Sequence, residues 1–479
     1  MPPPGENFHR GRPPSQHNLI DEFNPEAGAV STRAIGIQWS QALKEGKRVL
    51  DDLREYTSIN TVELGSSFVK SHTVQGPLTP DCMERSIIES TGVFGDLRVP
   101  VVTRPELESM RKFVDLARSE RFGVACNFCP LWITSRERTS MACIDITGAP
   151  LDPPLSPPQP PWQPFNLYGC PNNADVVRFS ETLLREIVKS WSSADMLCFN
   201  HVEFPLWPGR SGNSFLVRDL FSCFCDSCRK KAEDRGIDFP AVKQAVRTLY
   251  DSLTRAHAGG RHLPADLAPS DVVDFIVKRP LLAAWLEFRA SSMTEYVRRL
   301  VRKGREAARD NNHDLRFGLE FQLPSLSNLI GTDFVALYPE FDFLQPKYPE
   351  YLTGNTIPLL ADVVASNTGL DTLQLRRLIR ELLDFGPGPT EYEAVSEPKQ
   401  DILYASTFDP SIIDREMRYL APMVGKVPIF PYLWLPNRNF GQWKETIQTV
   451  KKNGFEGYFL QQWESDLTSE ALRQSAGIF

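Results

Sequence analysis

Polar side chains recur, often two residues apart, where short apolar runs of this chain end. His201 and Glu203 close the run ADMLCFNHVEFP, with Asn200 just before them, and Glu320 and Gln322 close LRFGLEFQLP. Gln345, Lys347 and Tyr348 lie in FDFLQPKYPEY, Tyr432 and Trp434 in VPIFPYLWLP, and Gln462, Trp463 and Glu464 in GFEGYFLQQWE. Earlier runs carry Gln38 with Trp39, then Glu63, then Asn127. Residues two apart on a strand share a face, so such groups can converge at one end of a sheet. Two carboxyl groups so placed can cleave a glycoside: one protonates the leaving oxygen, the other assists at the anomeric carbon or activates water. Glu203 is the expected acid/base, its proton affinity raised by a partly dry position. Glu320 and Glu464 compete for the second role. The remaining amides, acids and aromatics suit a polyhydroxylated ligand. Lys347 opens an alternative, a carbon–carbon or carbon–oxygen lyase or an aldolase using a carbonyl-trapping amine. Another alternative is a non-catalytic carbohydrate-binding barrel. Taken singly, any of these residues could be a satisfied structural polar group; their recurrence at strand ends favours a site.

A second constellation is FSCFCDSC. Cys223, Cys225 and Cys228 are spaced C-x-C-x2-C, close enough to converge on one metal. Tetrahedral Zn(II) needs a fourth ligand, and Cys170 in YGCPNN is preferred because its loop should neighbour theirs. Cys126, Cys129, Cys143 and Cys198 are the alternatives, with Cys198 read as core packing. Four cysteines leave no open coordination position, so the expected Zn(II) is structural.

YGCPNN, then a helix, then a strand ending in an acid, then CFCDSC resembles the barrel domain of family 42 glycoside hydrolases, the β-galactosidases. The arrangement is similar also to uncharacterised bacterial glycoside-hydrolase-like proteins. The likeness covers mainly Tyr168 to Gly236 and extends more weakly to the end of the barrel. It implies a (β/α)8 barrel, Cys170, Cys223, Cys225 and Cys228 as zinc ligands, and Glu203 as acid/base. HVEFP has one residue more than the family's Asn–Glu ending, so Asn200 is the candidate for the neighbouring Asn role. The family's nucleophile lies on strand seven, where PIFPYLWLP has no carboxylate.

The elements that must position these groups follow a repeating pattern, a short apolar run and then an amphipathic stretch of helical length. Eight such units run from STRAIGIQWS to GFEGYFLQQW. Alternation of this kind predicts a parallel sheet with helices outside, and eight units predict closure into a (β/α)8 barrel, the TIM-barrel fold. No strand is followed by GxGxxG, which argues against a dinucleotide fold. Insertions at about 135–168, 207–280 and 353–407 fall in βα loops, the loops that build the rim of such sites. Residues 1–30, rich in Pro, Gly and polar types, read as a disordered tail preceding one domain over 31–479.

Of the 479 residues, 41% are hydrophobic and 24% charged, with a formal net charge of -7 and both signs interspersed. No basic stripe suggests nucleic acid, and no apolar run reaches the roughly 18–20 residues of a membrane span. The N-terminus lacks the apolar stretch of a signal peptide. Nine cysteines, an odd count with three packed together, fit a metal site in the cytoplasm better than a disulfide framework. The expected partner is a small-molecule carbohydrate or glycoside, with homo-oligomerisation left open.

Overall fold

The computed structural model describes residues 31–37, 39–64, 104–134, 139–151, 166–204, 221–254, 277–348, 365, 371, 373–375, 378, 411–434, 440–455, 457–461 and 468–478. Eight of its strands form the barrel: β1 (Arg33–Ile37), β2 (Thr61–Leu64), β3 (Gly123–Phe128), β6 (Met196–Phe199), β7 (Arg316–Phe321), β8 (Phe343–Tyr348), β9 (Tyr432–Trp434) and β10 (Tyr458–Gln461). Two more, β4 (Trp132–Thr134) and β5 (Asn166–Tyr168), pair antiparallel as a separate hairpin. The helices are α1 (Trp39–Tyr56), α2 (Arg104–Ser119), α3 (Ala174–Ser190), α4 (Asp226–Asp234), α5 (Phe239–Thr254) and α6 (Pro280–Asp310). After them come α7 (Pro324–Ser327), α8 (Phe334–Leu337), α9 (Ser411–Leu420), α10 (Phe440–Lys452) and α11 (Ser469–Gln474).

The eight barrel strands close in the order β1-β10-β9-β8-β7-β6-β3-β2, every neighbouring pair parallel. Helices intervene between consecutive strands, so this is the (β/α)8 barrel expected from the eight repeated units. In the helices the spacing of apolar residues decides which stripe turns inward. Ala42, Val49, Leu50 and Leu53 are the buried stripe of α1, and Leu300, Val301, Gly304, Ala307 and Ala308 continue that of α6. Asn173 starts α3, its side chain accepting from the amides of Asp175 and Val176 at 2.9 and 3.2 Å.

Strand alternation divides the core in two. Ile35, Ile37, Val62, Leu64, Val124, Leu197, Phe199, Phe317, Leu319 and Leu344 pack outward in the large core beneath the helices. Ala34, Ala125, Met196, Cys198, Phe343, Phe430, Tyr432 and Phe459 form a separate cluster, the apolar filling of the barrel. Phe343 stacks on Phe459 with centroids 6.3 Å apart and ring planes 8° from parallel. Gly318 is required beside this stack, because a methyl on its Cα would overlap the Phe343 ring. Cys198 belongs to this filling, as its place within a strand implied.

The expected tail, residues 1–30, lies outside the described residues, as do most of the inserted stretches. In the second insertion the described parts form α4 and α5. No described helix is long and apolar enough to cross a membrane.

Candidate active site and cysteine centre

Directly above the apolar filling the barrel becomes polar. Glu63 of β2, Asn127 of β3, Asn200 after β6, Glu320 of β7, and Gln345 and Lys347 of β8 are all buried. Their alternation with outward apolar neighbours puts them on the inner face. The Lys347 ammonium lies 2.5 Å from Glu320 Oε1 and donates to Asn200 Oδ1 at 2.5 Å. Asn127 Nδ2 donates to Glu320 Oε2 at 3.0 Å and reaches Glu63 Oε1 at 3.5 Å. Tyr432 hydrogen-bonds Glu63 from the opposite wall. One amide therefore bridges two carboxyl groups, and one ammonium serves the pair.

Burial raises the Glu63 carboxyl to about 8, helped by the nearby Glu320 charge and opposed by Asn127, Tyr432 and Lys347. Burial also raises Glu320, opposed chiefly by Lys347. Burial in a dry barrel is the first cause of both shifts, and a neighbouring carboxyl charge adds to each, Glu320 for Glu63 and Glu203 for Glu320.

Glu203 stands beside this network. Strand β6 stops at Phe199, so the placement of Glu203 comes from the turn that follows and not from strand alternation. His201 takes φ 52° in that turn, and its Nδ1 lies 3.1 Å from Glu203 Oε1. Gln322 Nε2 donates to the same oxygen at 3.3 Å. Glu203 Oε2 has no hydrogen-bond partner among the described residues. Burial alone would raise this carboxyl, but the His201 hydrogen bond, the Lys347 charge and Gln322 outweigh it and leave it below the usual range. That reverses the raised value expected from the sequence: the ionised form has three stabilisers, and they stand on three different segments. His201 itself is pushed down to about 4 by burial and by Lys347, so the imidazole is neutral near pH 7. With its proton on Nδ1 it donates to Glu203.

The other candidates divide. Gln345 pairs in register with Glu320, and Lys347 with Tyr432. Tyr348 is not brought to the group: it belongs to the outer core, and its hydroxyl donates to Met417 Sδ of α9 at 2.8 Å. Trp39 opens α1 and is not part of a strand end, and Trp434 ends β9. Gln38, Gln462, Trp463 and Glu464 lie outside the described residues.

The cysteine motif assembles beside the same turn. Sγ atoms of Cys170, Cys223, Cys225 and Cys228 all lie within 4.8 Å of one another, and all four residues are buried. Cys170 is 3.5 Å from both Cys225 and Cys228, sulfur to sulfur. A tetrahedral zinc with Zn–S of about 2.3 Å implies S–S edges of about 3.8 Å, so the set fits such an ion. Donors already face the sulfurs: the Ile144 amide to Cys223 at 3.3 Å and Asn172 Nδ2 to Cys228 at 3.3 Å. Such donors favour thiolates, the form a metal requires. Of the alternatives, Cys143 is the one that interacts with this group, and its thiol also donates to the Gly169 carbonyl at 3.4 Å. Cys129 donates to Asn127 Oδ1 at 3.3 Å, and Cys126 and Cys198 belong to the barrel strands.

Two residues not singled out in the sequence reading lie beside the Glu203 turn, and Tyr168 links it to the cysteine loop. Tyr168, directly before Gly169 and Cys170, sends its hydroxyl to the carbonyls of His201, at 2.9 Å, and Glu203. Arg289 of α6 is buried between Trp285 and Phe204, its guanidinium carbon 4.6 and 4.7 Å from their rings, and donates to the Leu329 carbonyl at 3.2 Å. Helical spacing put Arg289 on the buried stripe of α6, but nothing in strand periodicity signals Tyr168.

The sequence matches no family model and no curated protein. Solved structures with a similar course include the glycoside hydrolase domain of PgaB (BpsB) from Bordetella bronchiseptica. It is 11% identical, with 93% of this chain and 99% of that one covered, at a TM-score of 0.44. The catalytic domain of the β-amylase from Paenibacillus polymyxa is 9% identical over 94% of this chain and 99% of that one, at 0.47. A β-galactosidase from the psychrophilic Marinomonas ef1 is 9% identical over 92% of this chain but 56% of that one, at 0.44. Likenesses this distant carry no argument about chemistry, which has to come from the residues of this chain.

Proposed function

We propose that this barrel is a glycoside-hydrolase-like enzyme that cleaves a carbohydrate or glycoside by carboxylate acid/base catalysis. The observation that carries the reading is the pairing of unlike carboxyl groups at one barrel end. Glu203 is held ionised by His201 and Gln322, with one oxygen free of partners among the described residues. Glu320, on the adjacent strand, has its proton affinity raised. Environments that push two carboxyl groups apart are what assign acid and base roles. In this reading Glu203 assists at the anomeric carbon, and Glu320, ion-paired with Lys347 when ionised, delivers a proton to the departing oxygen from its protonated form. Glu464 remains the competitor for the second role. Asn127, Asn200, Gln345 and Tyr432 would meet sugar hydroxyls and ring faces.

The four-cysteine group is, in the same reading, a structural zinc centre similar to that of family 42, outside the chemistry because four sulfurs fill a tetrahedral ion. It would fix the loop that carries it. The test of function is hydrolysis of a panel of aryl glycosides, together with a structure soaked with a sugar. Glycoside turnover with the anomeric carbon near Glu203 is the expected result. No turnover on any glycoside and no sugar in the barrel mouth would overturn the proposal.

A further inference from the structure

The turn that carries Glu203 lies beyond the end of β6, so the barrel ladder does not hold it. Other contacts do. On one side Thr332 Oγ1 donates to the Val202 carbonyl at 2.9 Å, and the Phe204 amide donates to the Ile330 carbonyl at 2.7 Å. On the other side the Tyr168 hydroxyl meets the carbonyls of His201 and Glu203. His201 at φ 52° is in a region that non-glycine residues adopt only when their surroundings enforce it. Tyr168 supplies part of that enforcement, from a backbone that is itself fixed. Its amide donates to the Leu151 carbonyl at 3.0 Å, and its carbonyl accepts from the Cys143 amide at 2.6 Å. The next two amides, Gly169 and Cys170, donate to the Leu131 and Met141 carbonyls at 2.7 and 2.9 Å. Cys170 then enters the four-sulfur group.

We propose that Tyr168 is a positioning residue for Glu203, and that through it the cysteine centre sets the aim of the carboxylate. The proposal rests on the reading of Glu203 as catalytic. It adds a route by which an ion remote from the substrate governs turnover. The phenol spans from the cysteine loop to the two carbonyls flanking Val202. If its anchor shifts, the backbone at 201–203 loses one clamp, and the carboxylate loses its alignment with His201 and Gln322. Unfolding of the barrel is not needed for this, because the strands pair independently of the β4–β5 hairpin.

The test compares Tyr168→Phe with Tyr348→Phe, another fully buried tyrosine, whose hydroxyl meets Met417 Sδ in the outer core. Amide hydrogen exchange is followed in the peptide Phe199–Phe204, with metal content measured in parallel. Tyr168→Phe should keep its metal and exchange about tenfold faster in that peptide, the scale of one lost buried hydrogen bond. Tyr348→Phe should leave the peptide unchanged. On a hydrolysed glycoside, Tyr168→Phe should lower kcat about tenfold or more with KM within about threefold. Exchange within twofold of wild type in metal-loaded Tyr168→Phe would overturn the proposal. Should that variant not fold, wild type stripped with a chelator at low temperature replaces it. Faster exchange at Phe199–Phe204, with β8 still protected, supports the link, and unchanged exchange there refutes it. Purified protein without any bound metal would likewise refute the link to the centre. Exchange does not depend on turnover, so a failure of the glycosidase reading would be recognised separately, by absent hydrolysis with the clamp intact.

Discussion

Lys347 of β8 and Glu320 of β7 form an ion pair of 2.5 Å inside the barrel, with the lysine side chain 9% and the glutamate 1% exposed. The same ammonium donates to Asn200, so two oxygens, one on β7 and one just after β6, hold it. A nitrogen engaged in this way neutralises a carboxylate and is poorly placed to attack a carbonyl. Borohydride reduction in the presence of carbonyl substrates should therefore leave Lys347 unmodified by mass spectrometry. Lys347→Met should destabilise the fold by about 3–5 kcal/mol, because it strands a buried carboxylate. A reduced adduct on Lys347 would revive the lyase or aldolase alternative.

Glu203→Gln should lower turnover by roughly 10²–10⁴-fold, the range of a lost general base, because an amide can neither assist at the anomeric carbon nor activate water. Gln keeps the shape and can still accept from His201 and Gln322, so the melting temperature should move little. A variant that melts early yet turns over normally would remove Glu203 from the chemistry and give it a purely structural role.

Glu63 predicts a pH dependence of stability. Its folded carboxyl keeps the proton up to about 8, whereas the unfolded chain releases it near 4.5. Between those values the folded state binds more protons, so stability falls as pH rises. The contribution is fully present below 4.5 and lost once the pH passes about 8. Glu63→Gln imitates the protonated form and should flatten this decline in denaturation curves taken across the window. Equal slopes for wild type and variant would show that Glu63 ionises as in the unfolded chain.

Cys225→Ser should lose the metal and several kcal/mol of stability together, on the order expected when a closed metal site is opened. Elemental analysis of the wild type should find about one zinc per chain. Wild-type protein with no stoichiometric metal, or a serine variant as stable as wild type, would reject the centre.

What the sequence determined by itself is what periodicity and spacing encode. Apolar runs alternating with 3.6-period stretches were enough to order eight strands and the helices between them, because burial acts on those patterns locally. C-x-C-x2-C dictated its own convergence, since three sulfurs so close along the chain can reach one ion whatever the fold. Alternation also contained the answer for Tyr348: with Gln345 and Lys347 facing in, the next residue faces out, against Met417. Tertiary structure decided what depends on neighbours remote in the chain. Cys170, preferred in the sequence on an expected neighbouring of loops, joins the triplet because a hairpin carries it there, 53 residues ahead of Cys223 in sequence. The Glu203 charge state is set by His201, Lys347 and Gln322, and the elevation of Glu63 by its burial inside the barrel and then by the Glu320 charge. A pKa is a sum over charges and hydrogen bonds in space, and no reading along one strand contains those terms.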